Sequence, residues 1–375
     1  MGSTNKSHRS GVRRALGFVG QLLRAVVILS VIGWGALALH FELPGPRPLV
    51  LLTIAAWVLI GGAALIAPWR IRRRTPLKTE NAPRKPQRSR AAPTIRLTFT
   101  LALIVLVTWW QSLEPRNDRD WAPDVARQLA VERDGDRVTL HNVRDFEWQT
   151  PDTATPRWET REYDLSQLDA VDMVVSYWMG PAIAHTLVTF GFADGRHLTF
   201  SVEIRRERDE AFSISGGFFK QFELNLIAAD ENDILRLRSN VRDEDVYLYR
   251  VGLSPQARRE LFLAYLDEAD RLRQSPEFYN TLTSNCTTIV FDMAARIVSG
   301  LPKDIRLILS GYLPEYVYDI GGLDTSHSLE FLRSRGYINP RARQIPYTAG
   351  SEAFSRAIRD GVPAADGEIL HASSP

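Results

Sequence analysis

The chain opens with long apolar runs and then changes to short alternating ones. Residues 25–41 and 49–69 carry no Asp, Glu, Lys or Arg, and runs approaching about 20 apolar residues match the hydrocarbon thickness of a bilayer. A third run, residues 97–113, reaches spanning length when Ile95 and a snorkelling Arg96 are counted with it. Uninterrupted stretches of this length argue against buried core helices. The first run also passes through His40-Phe41-Glu42 into the second, not into a small-residue cleavage site, which argues against a signal peptide. Three transmembrane helices are predicted.

After Leu113 the period shortens. Strand-like and helix-like pieces alternate over residues 120–345 without a long linker or an internal repeat, which predicts one α+β domain. Residues 138–143 and 173–177 read as strands. Residues 185–204 read HTLVTFGF, ADG, RHLTFSVEI, two alternating runs joined by a turn. A two-residue turn at Asp194-Gly195 would set His185 opposite Ile204 and mix polar with large apolar side chains on each face. A three-residue loop, with Gly195 left-handed in a bulge, separates them. Val188, Phe190, Phe192, Leu198, Phe200 and Val202 then share one face; His185, Thr189, His197, Thr199, Ser201 and Glu203 share the other. Segregation of this kind fixes register, and it sets Glu203 across from His185.

Ser254-Pro255 supplies a cap and a first-turn proline for a helix through LFLAYLDEADRL. A second helix is expected from about Ser284-Asn285 to Gly300-Leu301-Pro302, with Cys286 in its first turn and Ile289, Val290, Met293 and Ile297 repeating at core spacing. The segment after about Ala349 reads as a peripheral tail with one short amphipathic piece near Phe354 and Ile358.

Charge gives the chain a direction. Residues 1–113 hold 16 Lys/Arg and 2 Asp/Glu, so a total of +2 conceals a basic first part and an acidic remainder of about −12. The basic residues cluster before the first run and between the second and third, while the short loop between the first two offers only Arg47. By the positive-inside rule the amino terminus and the basic loop are cytoplasmic, and everything after the third run lies outside. Trp109, Trp110 and Trp121 sit where indoles favour the headgroup layer, which expects the domain close to the membrane. An acidic domain lacks the basic face that a phosphate backbone requires, so nucleic acid is not an expected partner.

Cys286 is the one cysteine, which excludes an intramolecular disulfide and a multi-cysteine zinc site. A thiol reacts as thiolate, and unpaired N–H groups at a helix start favour the thiolate and can hold the oxyanion of an acyl intermediate. A small buried hydrophobe is the bland alternative, but Ser284, Asn285, Thr287 and Thr288 are polar company for a core position. Cys286 is therefore the candidate nucleophile, His185 the candidate base and Glu203 the residue that orients it, with His197 the alternative third member. His185, His197 and Glu203 form no compact ligand motif, and neither a metal nor a cofactor is expected.

These residues fall in pieces that resemble a known family. The pieces are His141-Asn142-Val143-Arg144-Asp145-Phe146, Trp178 through Ala184-His185-Thr186, Phe200-Ser201-Val202-Glu203-Ile204-Arg205, Tyr279-Asn280 and Asn285-Cys286-Thr287-Thr288. They resemble the amino-terminal periplasmic domain of the Bacteroides-type lipoprotein N-acyltransferase. That family is similar to circularly permuted papain-like thiol enzymes of the NlpC type, in which a strand histidine precedes the cysteine-bearing helix, as His185 precedes Cys286. In the related lecithin:retinol acyltransferase type two histidines stand twelve residues apart, as His185 and His197 do, a spacing that favours His197 over Glu203.

The resemblance implies transfer of a fatty acyl chain from a phospholipid to a lipoprotein's α-amine through a thioester on Cys286. It also implies substrate-binding or supporting roles for Asn285, Thr287, Tyr279, Trp178 and Arg205. The expected layout in a bacterial inner membrane is a cytoplasmic amino terminus (1–24), two transmembrane helices (25–69), a basic cytoplasmic loop (70–96), a third helix (97–113), a periplasmic thiol-enzyme domain with an antiparallel sheet (114–348) and a peripheral tail (349–375). Hydrolysis in place of transfer, a cell-wall cysteine peptidase or amidase, and a non-catalytic envelope scaffold remain open at this point.

Overall fold

The computed structural model describes residues 4–73 and 91–364. Most of the basic loop and the last eleven residues lie outside the described residues. The chain divides into two compact units, before and after Glu114.

The first unit is three helices, α1 (Thr4–Glu42), α2 (Arg47–Arg73) and α3 (Ala91–Gln111). Each contains a segment long and apolar enough to cross a membrane: Leu16–Glu42, Arg47–Ile66 and Pro93–Gln111. The third is extended at its start by the residues around Ile95 and Arg96. Small residues let the helices approach: a Cβ on Gly35 would press on Trp57 and Leu106, and one on Gly61 on Ile32. The Trp57 indole N–H donates to the Ile32 carbonyl at 2.9 Å, while Leu52, Leu59 and Val105 point outward.

The second unit is built on one large sheet. Its strands are β1 (Ala130–Asp134), β2 (Arg137–Arg144), β5 (Trp158–Asp164), β6 (Leu168–Met179), β7 (Ile183–Phe192), β8 (His197–Arg205), β9 (Glu223–Ala229) and β10 (Asp245–Arg250); β3 (Glu147–Thr150) and β4 (Thr153–Thr155) pair separately. The order is β1-β2-β9-β8-β7-β6-β10, with β5 also on β2. Pairing is antiparallel except for a single parallel contact, Arg144 with Ala229. The helices are α4 (Glu231–Arg236), α5 (Pro255–Gln274), α6 (Thr288–Ile297), α7 (Leu313–Asp319), α8 (Leu329–Gly336), α9 (Asn339–Gln344) and α10 (Ser351–Ile358). This is a mixed α+β domain with a mostly antiparallel sheet.

The β7–β8 hairpin takes the register that segregates its faces. Phe190 stands opposite Leu198 and Leu187 opposite Ser201. Gly195, at φ +87°, closes the three-residue loop, its N–H donating to the Phe192 carbonyl at 2.9 Å. Phe190 and Phe200 pack on Phe262 and Tyr265 of α5, Phe200 stacking on Tyr265 at 4.8 Å, and α6 adds Met293 and Ile297 to this core. The opposite face packs Leu187, Val174 and Ile227 against α4, α9 and α10. Ser254 caps α5, its hydroxyl accepting from the Ala257 N–H at 3.1 Å.

One expectation is corrected by this second core. The segment read as a peripheral tail includes α10, whose Phe354 and Ile358 are fully buried. Arg359 extends it with charge: its guanidinium meets Asp172 at 2.7 Å and Glu231 at 2.6 Å, two carboxylates without solvent exposure. A short amphipathic helix looks peripheral in sequence, but here its apolar stripe completes, with α4 and α9, the cover of this sheet face. Residues 365–375 of that tail lie outside the described residues.

Candidate functional site

Sheet register positions the site. The β7–β8 ladder stops at Leu187–Ser201, although β7 continues along β6 to Ile183 and β8 along β9 to Arg205. Beyond the end of that ladder His185 and Thr186 lie beside the Cys286 thiol, where the imidazole charge and the Thr186 amide favour the thiolate. His185 and Glu203 do not continue the backbone ladder, yet their side chains meet: Nε2 of His185 is 3.2 Å from Oε1 of Glu203. The Ser201 hydroxyl lies between them, 2.7 Å from Nε2 and donating to Oε1 of Glu203 at 2.7 Å. Nε2 thus faces the carboxylate, which leaves Nδ1 for the sulfur.

Cys286 sits ahead of the regular helix, which begins at Thr288, and not inside its first turn. Asn285 explains the difference. Its carbonyl accepts from the Ile289 N–H at 3.2 Å, and its side-chain oxygen accepts from the Thr287 and Thr288 N–H groups at 2.9 and 3.0 Å. Asn285 closes the turn that holds Cys286 just ahead of the helix. The cap consumes two amides that the sequence reading offered to an oxyanion. The Cys286 N–H has no partner among the described residues and is the amide available to one.

The electrostatics favour an ion pair. Burial opposes a charged thiol, but the His185 charge and hydrogen bond, the Thr186 N–H and the Thr287 hydroxyl outweigh it, so Cys286 is pulled below the usual thiol value. Burial and the Arg238 charge push His185 down, yet Glu203 and Cys286 carry it up to about 9. Glu203 resists its own burial and falls well below the usual carboxylate value beside His185 and Arg238. Arg238 bridges two carboxylates, donating to Glu203 at 3.2 Å and Glu244 at 3.1 Å, and the Ser176 hydroxyl donates to Glu244 at 2.5 Å.

The other expected residues divide. Thr287 touches both Cys286, at 4.0 Å, and the Thr186 hydroxyl, at 3.3 Å. Tyr279 faces Cys286 and Glu203, which together with its burial hold the phenol protonated. Trp178 is exposed and packs edge-on against Phe212 at 5.3 Å. Arg205 is a structural clamp, donating to the Val125 and Ala126 carbonyls and to Asn117; burial lowers its pKa to about 10. His197 is not brought to the site. It pairs with Gly191, six residues along β7 from His185 and so about 20 Å away, and its Nδ1 bonds the Gly195 carbonyl at 3.1 Å. The turn at 193–195 lies off the centre of the twelve-residue interval, so the two histidines fall at different heights, whereas Val188 and Phe200, also twelve apart, are directly paired.

Ser201, Thr186, Arg238 and Glu244 belong to the site without having been given roles from sequence. Ser201 had a signal, since alternation set it on the face of His185 and Glu203. Arg238 had none: it lies on a π-turn over Leu237–Val241, in contact with Glu203 only through the fold. Among the described residues no group of three or more His, Cys, Asp or Glu could hold a metal.

An apolar cavity of about 110 Å3 adjoins the site. Thr287, which touches the sulfur, and Thr186, which touches Thr287, line it together with Val290, Ala294, Leu313 and Ile320 among others. It lies between the sheet and α5, α6 and α7, and has room for about four water volumes. Its lining offers water few partners, which is the character of a cavity that takes apolar groups.

Sheet, cap and ion pair together define an α+β domain carrying a buried thiol–imidazole–carboxylate array beside an apolar cavity. Residues 154–311, which hold His185, Glu203 and Cys286, match the family described as the Lnb N-terminal periplasmic domain. The first of the motif pieces, His141 to Phe146, lies before the matched range. No curated protein and no solved structure matches the chain.

Proposed function

We propose that this chain is a membrane-anchored thiol acyltransferase or hydrolase acting at the periplasmic face of a bacterial inner membrane, its amino terminus cytoplasmic. The observation that carries the proposal is the buried Cys286 thiol against Thr287 at 4.0 Å, which in turn touches Thr186 at 3.3 Å, with Glu203 3.2 Å from the His185 imidazole and the apolar cavity at Thr186 and Thr287. The Cys286 thiolate attacks the carbonyl carbon of a lipid ester, and the Cys286 N–H stabilises the oxyanion. The tetrahedral intermediate collapses as His185 gives its proton to the leaving alcohol oxygen, which leaves an S-acyl thioester and a lysolipid. An amine or water then attacks the thioester, His185 takes the incoming proton, and the thiolate departs. Glu203, steadied by Ser201 and Arg238, keeps the imidazole oriented and charged.

The apolar cavity beside the sulfur favours an acyl chain over a peptide as the group transferred. The order of histidine strand and cysteine helix, with a thiol at a capped helix start, supports kinship with permuted papain-like enzymes. The family matched over residues 154–311 supports a lipoprotein amine as acceptor. The test is mass spectrometry of the full-length protein purified from membranes and incubated with labelled phospholipid. A hydroxylamine-labile acyl adduct on Cys286, absent from His185→Ala, is expected; a thiol that never acquires acyl mass would overturn the reading.

A further inference from the structure

Nine large hydrophobic side chains are exposed on the second unit among its described residues, and six of them surround one end of the sheet. Trp178 and Met179 close β6, Phe212, Ile214 and Phe218 lie on the connection between β8 and β9, and Leu282 lies in the turn leading to Cys286. They form a connected rim. Trp178 packs on Phe212, and Thr281, next to Leu282, donates to the Ile214 carbonyl at 3.2 Å and the Gly217 carbonyl at 3.3 Å. Asn285 ties the same turn to the cysteine through its amide, 2.9 Å from the Thr281 carbonyl. The rim therefore borders the turn that leads to the sulfur. Contiguous apolar side chains of this size on a soluble domain mark an interaction surface, whereas singly scattered ones do not.

The sequence of the chain identifies the partner. The domain is entered at this same end of the sheet: the Arg116 N–H donates to Glu223 at the start of β9 at 3.1 Å, and Trp121 bridges to Glu207 just past β8. Only four residues, 112–115, separate Arg116 from the last residue of α3, a helix apolar and long enough to cross a membrane. We infer that the rim docks on the lipid surface, with Trp178, Phe212, Phe218 and Leu282 set at the depth of the headgroups and first methylenes. The inference deepens the acyl-transfer reading, since it brings the site mouth to its lipid, and it rests on that reading for its purpose but not for its geometry.

The test uses full-length protein in phosphatidylethanolamine–phosphatidylglycerol nanodiscs. In a Cys286→Ser background, nitroxides are placed one at a time through Phe212→Cys, Phe218→Cys and Leu282→Cys, with Ala193→Cys, exposed in the β7–β8 turn at the opposite end of the sheet, as control. Rim labels should collide more often with oxygen than with a water-soluble nickel chelate, and the control label the reverse. Rim labels as open to nickel as the control would overturn docking, and labels shielded from both reagents would overturn it in favour of a protein occupant. No chemistry takes place in this background, so the result is independent of whether Cys286 carries an acyl group.

Discussion

Replacing Glu203 with Gln keeps the side chain's shape, removes its charge, and should turn Cys286 into a slow, ordinary thiol. In the native site the rise of His185 from 6.5 to about 9 corresponds to about 3 kcal/mol in favour of the imidazolium. Burial and Arg238 oppose that rise, and Glu203 and the thiolate supply it. With Gln at this position only the sulfur remains to hold the proton, so the imidazole becomes neutral near pH 7. Cys286 then keeps its burial and loses its counter-charge, and its pKa returns to 9.0 or above. A thiol at that value is about 1% ionised at about pH 7, so alkylation should slow, with about 100-fold as the ceiling set by a fully ionised native thiol. Iodoacetamide labelling of the full-length protein reads this directly, because Cys286 is the only thiol. The native rate should level off at a lower pH than the Glu203→Gln rate, which climbs only through the ordinary thiol range. Stability follows the same groups. His185, raised in the fold, contributes stabilisation that is complete below 6.5 and is lost as pH rises through about 9. Glu203, lowered in the fold, contributes stabilisation that is complete above 4.5 and is lost only as pH falls through its depressed value. Superimposable labelling profiles for the two proteins would refute the ion-pair argument.

Two further changes separate the parts of the site from the frame. Ala294→Phe projects a ring into the apolar cavity and should abolish the acyl adduct while leaving the alkylation rate of Cys286 unchanged; an adduct of undiminished yield would mean that the cavity does not receive the chain. Arg359→Met strands Glu231 and leaves Asp172 with Arg250 alone, both carboxylates without solvent exposure, and should cost about 3–5 kcal/mol. Chemical unfolding followed by circular dichroism measures it, and an unchanged midpoint would mean that α10 and its arginine contribute nothing to the domain.

What the sequence disclosed and what it hid follow from the range of the interactions involved. The spans, the hairpin register and the Ser254 cap are set by neighbours along the chain, so periodicity and cap chemistry are enough to read them. The meeting of His185 with Glu203 was legible for the same reason: it needs only a loop length and a face. Cys286 was placed one step wrongly because Asn285 can cap as well as flank, and the choice depends on where its side-chain oxygen finds free amides. His197 shows the limit of spacing as an argument. Counted along the chain it stands twelve residues from His185, but the hairpin turns only two residues before His197 and ten after His185, which leaves His197 opposite Gly191, far along the sheet from His185. Arg238 and Arg359 were not legible at all, since each arginine earns its place only when distant strands supply paired carboxylates. Their burial also explains why the face opposite α5 and α6 can carry so many charges. Each buried carboxylate there that is paired by a guanidinium escapes the cost of standing alone, and one of those pairs, Arg238 with Glu203, is the same contact that holds the imidazole behind the thiol. Folding and chemistry thus share a residue, so a substitution at Arg238 should lower stability and thiol reactivity together, where Ala294→Phe separates chain binding from reactivity.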